Sequence, residues 1–367
     1  MTEMVGAGNG GRTRGIHLGK VRRIVTAPNA RARESLESFL PGRPPPDSIA
    51  PPYWHRHQGV RATGFVQPSA ILQVRERKQP GPVAEQRRVM RAVAKPLRLL
   101  SYLAPSIPEG LFELVASAIE AKTGAAVLLD FETSVSGPTP ETDPFVSGRA
   151  DVAFVCGPSY ALLRAAGAPV DIIPAAAVFE DPRNAGRPVY FSDVIVAHDH
   201  PARSLTDLRG TTWTYNDRQS LSGWFRMLAR LVELGFGAPE SFFSRIYSSG
   251  AHVNSIALVS EGQAAVSAVD SNALRFALRR NPSLDQRLRI LESWGPSPVQ
   301  PVLARSTLDP DVKVSMRKAL LTLGQDPGYA PRLLEFGVRG FVSADEASYL
   351  EMREVVGTEK QGLDTNR

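Results

Sequence analysis

Asn216-Asp217-Arg218-Gln219-Ser220-Leu221-Ser222-Gly223-Trp224 is the stretch on which the reading of this chain turns. It follows Gly210 to Tyr215, a short apolar run that reads as a strand, and it leads into Phe225 to Val232. There Trp224, Leu228, Leu231 and Val232 fall at helical spacing. A strand, a short polar loop and a helix together offer backbone N–H groups to a ligand. The first turn of a helix leaves about four of them without an intrahelical partner, and the helix dipole favours negative charge there. Ser220 and Ser222 add hydroxyl donors, and Gly223 lets an oxyanion approach the backbone closely. The competing reading makes Ser220 or Ser222 a helix cap and nothing more.

The 367 residues suffice for two domains, each with its own core, and no apolar run reaches the length of a membrane-spanning helix. Cys156 is the only cysteine, so no intramolecular disulfide forms. The net charge of +6 is unevenly placed. Residues 1–95 hold 17 Lys/Arg against 6 Asp/Glu, and the remainder holds 26 against 31. A mildly acidic body argues against a nucleic-acid-binding surface on it.

Residues 1–95 carry Gly-, Arg- and Pro-rich patches without a sustained helix or strand period, and read as a disordered basic arm. Arg22-Arg23 is followed only by Ile24-Val25 before Pro28, far short of the roughly 7–15 apolar residues of a secretory signal. From Pro96 the texture changes to alternating strands and helices. Leu97–Leu103 reads as a strand, 109–122 as an amphipathic helix, 126–130 as a strand and 148–158 as a turn–strand–turn leading to a helix at 159–166. Residues 133–141 read as loop. Strands follow at 170–179, 189–197, 242–247, 264–269 and 288–294, with helices at 253–261, 309–323, 332–336 and 344–355. This alternation predicts an open α/β sheet with right-handed crossovers, and ligands in such sheets lie beyond the carboxyl ends of the strands. That rule places the loop 104–108, with Ser106, and the turn 156–160 beside one cleft. No internal repeat is visible.

Six short motifs, in order, resemble the phosphonate/phosphite-type substrate-binding proteins of ABC importers, which have the type 2 periplasmic binding protein fold. They are Ala150–Val155 with Gly157-Pro158 and Tyr160, Tyr190–Val196, Ser204–Gly210, Ser220-Leu221-Ser222-Gly223, Ser249–His252 with Ser255-Ile256, and Ala268–Ser271. The resemblance spans about 96–355 and implies a two-lobed α/β body with a ligand cleft between the lobes. One lobe would comprise 96–192 and 297–355, the other 193–296, with 356–367 a flexible tail. It implies that Ser220 and Ser222 donate hydroxyls to a phosphonate-like group beside the amides of Leu221, Ser222 and Gly223. His252 and Asp270 would contact the ligand from neighbouring strand ends, Tyr160 and Ser106 from the first lobe. Asn272 and Gln300 stand where amine-binding members place carboxylates, which speaks against an aminoalkyl ligand and leaves phosphate, phosphite or a neutral-tailed phosphonate open. Asp217 lies close to the serines, so it is expected to point away or pair with Arg218.

The other constellations are read blandly. His198-Asp199-His200 lacks further metal ligands and reads as a solvated loop. Cys156 reads as a buried inert thiol. A triad of His252, Asp270 and a serine lacks the strained nucleophile turn, so no catalytic residue is expected. The expected protein is therefore a monomeric, non-enzymatic binder of a small oxyanion without metal or cofactor, working with an ABC permease. Family resemblance implies a periplasmic or exported protein, whereas the missing signal keeps a cytoplasmic enzyme or ligand sensor on the same fold as the alternative.

Overall fold

A computed structural model of the protein describes residues 24–25 and 95–364. In chain order its strands are β1 (Ile24–Val25), β2 (Leu97–Ser101), β3 (Val127–Phe131), β4 (Val152–Phe154), β5 (Val170–Ile173), β6 (Ala176–Phe179) and β7 (Val189–Ala197). They continue with β8 (Thr212–Tyr215), β9 (Arg245–Ser248), β10 (Val266–Asp270), β11 (Leu288–Pro298), β12 (Val302–Arg305) and β13 (Val338–Val342). The helices that bear on the site are α1 (Glu109–Thr123), α2 (Arg226–Glu233), α3 (His252–Ser260) and α4 (Ser271–Arg280).

Local chemistry accounts for these elements. α1 buries Leu111, Phe112, Val115, Ala118 and Ile119 on one face and carries Lys122 in its last turn. It stops at Gly124, whose φ of 69° lies in the left-handed region that a residue with a Cβ avoids, and whose N–H closes onto the Glu120 carbonyl. β2 and β10 are buried almost throughout because both of their faces are covered.

The first sheet has the order β1-β3-β2-β4-β12-β5, with β2 parallel to β3 and β4. The second has the order β11-β7-β10-β8-β9, with β8 parallel to β9 and β10. Each sheet is therefore centred on a parallel triplet whose first strand lies in the middle, with an antiparallel strand added beside the third. β12 takes that place in the first sheet and β7 in the second. The two halves share a topology although the sequence shows no repeat. A separate antiparallel pair joins β6 to β13.

The structure corrects several sequence readings. The single strand expected over 170–179 is two, β5 and β6, in different sheets; Pro174 falls between them and cannot donate to a ladder. Phe242 closes the short helix Pro239–Phe242 instead of opening a strand, which begins at Arg245. α4 was not anticipated, nor were β12 and β13. The helix expected over 344–355 is a short turn, Glu346–Tyr349, followed by a helix at Glu351–Asp364. Ile24 and Val25, expected within a disordered arm, pair antiparallel with Leu129 and Leu128 at the edge of the first sheet. The rest of the expected arm, and the last residues of the expected flexible tail, lie outside the described residues.

One buried carboxylate pins the first sheet at the end away from the cleft. Asp151 accepts from the Arg98 amide and Nε (2.9 and 3.0 Å), from Arg98 Nη2 (2.9 Å) and from Arg305 Nε (2.7 Å). Burial opposes its charge, but the bonds from Arg98 and then Arg305 prevail and hold its pKa at about 2. Its stabilisation is complete above the unfolded carboxylate value of about 3.9 and is lost as pH falls through the folded value. Thermal unfolding should therefore show a drop in melting temperature between pH 4 and pH 2. Asp151→Asn should melt lower at neutral pH and show a shallower acid slope; an equal slope in both proteins would assign the acid sensitivity elsewhere.

Candidate functional site

The carboxyl ends of all six parallel strands converge on one cavity, with about 440 Å³ of non-atom space including its mouth. β2 is followed by Tyr102 and Ser106, β3 by Thr133 and Ser136, and β4 by Cys156. From the second sheet come Asn216, Asp217, Ser220 and Ser222 after β8, Gly250 and His252 after β9, and Asp270 and Ala273 at the end of β10. Gln300, in the crossing from β11 to β12, completes the wall. This is where a doubly wound sheet opens a crevice for ligands.

The loop after β8 is built around Ser220. Its carbonyl accepts from both Trp224 and Phe225 amides at 3.1 Å, which opens the first turn, Leu221–Phe225, to π-helical width before α2 begins. Its Oγ accepts from the Gly223 amide (3.1 Å), so Ser220 is indeed a helix cap. Gly223 is obligatory: a Cβ there would lie 1.9 Å from Asn216 Oδ1. The Leu221 amide donates to Cys156 Sγ at 3.3 Å. Two of the three amides expected to face a ligand are thus engaged within the protein. Ser222 caps nothing. Its Oγ lies 3.2 Å from His252 Nε2, and Ser220 Oγ lies 3.5 Å from the same nitrogen.

His252 opens α3, and its amide donates to Ser106 Oγ at 3.0 Å. Burial lowers its pKa to about 3, so the ring is neutral at physiological pH. Its Nδ1 is buried without a hydrogen-bond partner among the described residues. A neutral imidazole whose Nε2 donates to the serine oxygens leaves both hydroxyl hydrogens for a ligand.

Two carboxylates share the cavity, and among the described residues no Lys or Arg lines it. Asp217 neither turns away nor pairs with Arg218, whose guanidinium sits 4.4 Å above the Trp224 ring. It accepts from Ser136 Oγ (2.5 Å), Asn216 Nδ2 (2.8 Å) and the Gln219 amide (2.9 Å), and burial pushes its pKa up. Asp270 caps α4 by accepting from the Asn272 and Ala273 amides (2.7 and 3.4 Å), and it accepts from Gln300 Nε2 at 2.7 Å. Burial pushes it up to about 6. The contacts Ser106–His252, Ser136–Asp217 and Cys156–Leu221 all run between segments that follow strands of different sheets, so the two walls are drawn together.

Of the residues expected at the site, Ser106, Ser220, Ser222, His252 and Asp270 line this cavity, while Leu221 and Gly223 shape the turn behind it. Tyr160 is not brought there. Its hydroxyl donates to Glu346 at 2.7 Å and its ring packs on Tyr349. Tyr102, Thr133, Ser136 and Asn216 were not foreseen as cavity residues, whereas Gln300, expected where amine-binding members place a carboxylate, does line the cavity. The common signal of those four is position just after a strand, which in Ser136 is hidden inside a Ser/Gly/Pro/Thr-rich loop. Cys156 is buried and its thiol is pushed up to about 12, as befits an inert group. Asp270 bonds to Gln300 and backbone amides, not to His252, so no Ser–His–Asp relay is assembled. At His198-Asp199-His200, His200 Nδ1 accepts from the Ala202 amide. Among the described residues no group of three His, Cys, Asp or Glu side chains is placed to hold a metal ion, and no helix is long and apolar enough to cross a membrane.

Comparison with solved structures finds the same fold at low sequence identity. A binding protein component of an ABC phosphonate transporter from Pseudomonas aeruginosa superposes with a TM-score of 0.64 at 18% identity, over 74% of this chain and 89% of that one. PhnD1 from Prochlorococcus marinus, in complex with methylphosphonate, gives 0.60 at 16% identity, over 73% and 99%. A Xanthomonas citri protein bound to ATP gives 0.54 at 21% identity, over 73% and 98%. Residues 109–349 match the family described as ABC transporter, phosphonate, periplasmic substrate-binding protein. The match covers well over half of the chain, and this protein belongs to that family of phosphonate-type periplasmic substrate-binding components of ABC transporters.

Proposed function

We propose that this protein captures a small phosphonate- or phosphate-like oxyanion in the cavity between its sheets and hands it, chemically unchanged, to the permease of an ABC importer. The lobes 96–192 with 297–355, and 193–296, close on the ligand as a monomer on the outer side of the cytoplasmic membrane. The observation that carries this reading is the convergence of the Ser220 and Ser222 hydroxyls on neutral His252 in a buried pocket at the mouth of a helix. Hydrogen bonds from such donors to a charged acceptor are about twice as strong as neutral ones.

The two carboxylates sharpen the ligand's chemistry. An anion that brings no hydrogen would meet Asp217 and Asp270 with like charge and, among the described residues, no compensating cation. A hydrogen phosphonate or hydrogen phosphate offers a P–O–H donor to one of them and accepts from the serines with its other oxygens. Sulfate has no hydrogen to offer, and an unmade bond at a buried acceptor costs about 1–3 kcal/mol. Titration calorimetry of the full chain should therefore give saturable binding of methylphosphonate or phosphate, with sulfate weaker by roughly one to two decades. Sulfate binding as tightly as both, or none of the three binding, would overturn this assignment.

A further inference from the structure

α4 also lines a second cavity, with about 270 Å³ of non-atom space including its mouth, which shares no lining residue with the oxyanion cavity. The helix gives it Asn272, Arg275, Phe276 and Arg279, which are spaced i, i+3, i+4 and i+7 and so form one stripe along a single face. The rest of the wall is Phe179 and Glu180, where β6 ends, and Phe336 and Gly337, just before β13. Arg279 is fixed within the protein: its Nη2 donates to the Leu334 carbonyl at 3.1 Å, and its Nη1 lies 3.5 Å from Glu180 Oε2. Gly337 makes room for it, since a Cβ there would come within 2.8 Å of Arg279 Nη1. Arg339 Nε lies 3.9 Å from Glu180 Oε1, so that carboxylate is already answered by cations.

Two groups of the stripe are left over. Arg275 commits its Nε to the Glu180 carbonyl at 3.0 Å and has no carboxylate within ion-pair distance among the described residues. Asn272 is 4% exposed, and neither its Oδ1 nor its Nδ2 has a hydrogen-bond partner among the described residues. A buried amide without a partner is uncommon and costly, and it calls for a group that the protein itself does not supply. The two free terminal nitrogens of an arginine fork match the two oxygens of a carboxylate. Asn272 is the neighbour of Arg275 one turn earlier on the same face, so its Nδ2 can serve the same group. The three phenylalanine rings ask for an apolar body behind the carboxylate. One cation in surplus suits a monoanion, whereas a dianion would also meet the charge of Glu180.

We propose that this cavity is a second ligand site, for a small monocarboxylate with an aromatic or branched apolar body. Its carboxylate is shared by Arg275 and Asn272, and its body lies against Phe179, Phe276 and Phe336. The site needs nothing from the oxyanion cavity, so the two assignments stand or fall separately. The test is titration of the ¹⁵N-labelled full chain with sodium benzoate, followed by NMR. Benzoate should saturably shift the Asn272 side-chain amide and the backbone amides of Phe276, Arg279 and Gly337. Benzamide, which has the same shape without the charge, should bind at least roughly tenfold more weakly, and so should acetate, which lacks the ring. Arg275→Gln should weaken benzoate roughly tenfold and leave the melting temperature unchanged, because the side chain is exposed. Absence of saturable shifts, shifts confined to Ser220, Ser222 and His252, benzamide binding as well as benzoate, or an Arg275→Gln protein equal to the parent would each overturn the assignment. Should that variant not fold, the comparison of benzoate with benzamide on the unaltered protein still decides.

Discussion

Replacing Ser220 and Ser222 together by alanine is expected to weaken oxyanion binding by roughly two to four decades, since each bond to a charged acceptor is worth about 1.5–3 kcal/mol. The two serines are not equivalent, because Ser220 Oγ also caps the Gly223 amide. Its loss should cost about 1 kcal/mol of stability as well. Ser222 isolates the binding role: its side chain holds no backbone group, and its neighbour is His252 Nε2 at 3.2 Å. Ser222→Ala should thus lose roughly one to two decades of affinity, read by calorimetry, with an unfolding midpoint close to that of the parent. A Ser222→Ala protein that binds its anion normally would reduce the pair to a cap and a bystander.

Arg183→Ala should produce the largest loss of stability. Arg183 lies where the chain passes from β6 to β7 and grips two carboxylates at once. Its Nη1 and Nη2 each donate to Asp193 at 2.9 Å, Nη2 donates to Asp181 at 2.7 Å, and Nη1 reaches Ser293 Oγ on β11 at 3.1 Å. Asp193 is fully buried on β7 and Asp181 nearly so. Removing the cation leaves both without their partner, which for a buried pair costs about 3–5 kcal/mol. The Arg183 side chain is itself 37% exposed, so solvent softens the loss, and about 2–3 kcal/mol is expected in urea unfolding. Arg183→Lys should recover only part of it, because a point charge cannot reproduce the forked contacts. A shift of under about 0.5 kcal/mol would mean that the carboxylates are neutralised in another way.

Much of this was legible because strand-end loops announce themselves by composition. Gly223 beside a polar loop, flanked by apolar runs of different period, marked the strand–turn–helix unit that the structure builds at 212–233. Elements defined by tertiary partners were less visible. α4 sets Arg275, Arg279 and Arg280 among five apolar residues, and its cap signal, Asp270, was read as a ligand group; it lines the cavity and caps the helix at once. β12 is only four residues long, and its register depends on β4 and β5, far away in sequence. Tyr160 illustrates the converse. Its place after a turn suggested the cleft, but its direction is decided by Glu346 and Tyr349, which no local pattern reveals.

A crystal structure of the protein grown with methylphosphonate tests the site most directly. The ligand's oxygens should lie about 2.5–3.0 Å from Ser220 Oγ and Ser222 Oγ, with His252 alongside and an acidic oxygen of the ligand facing Asp217 or Asp270. An anion bound elsewhere, or held in the cavity without touching either serine, would contradict the assignment.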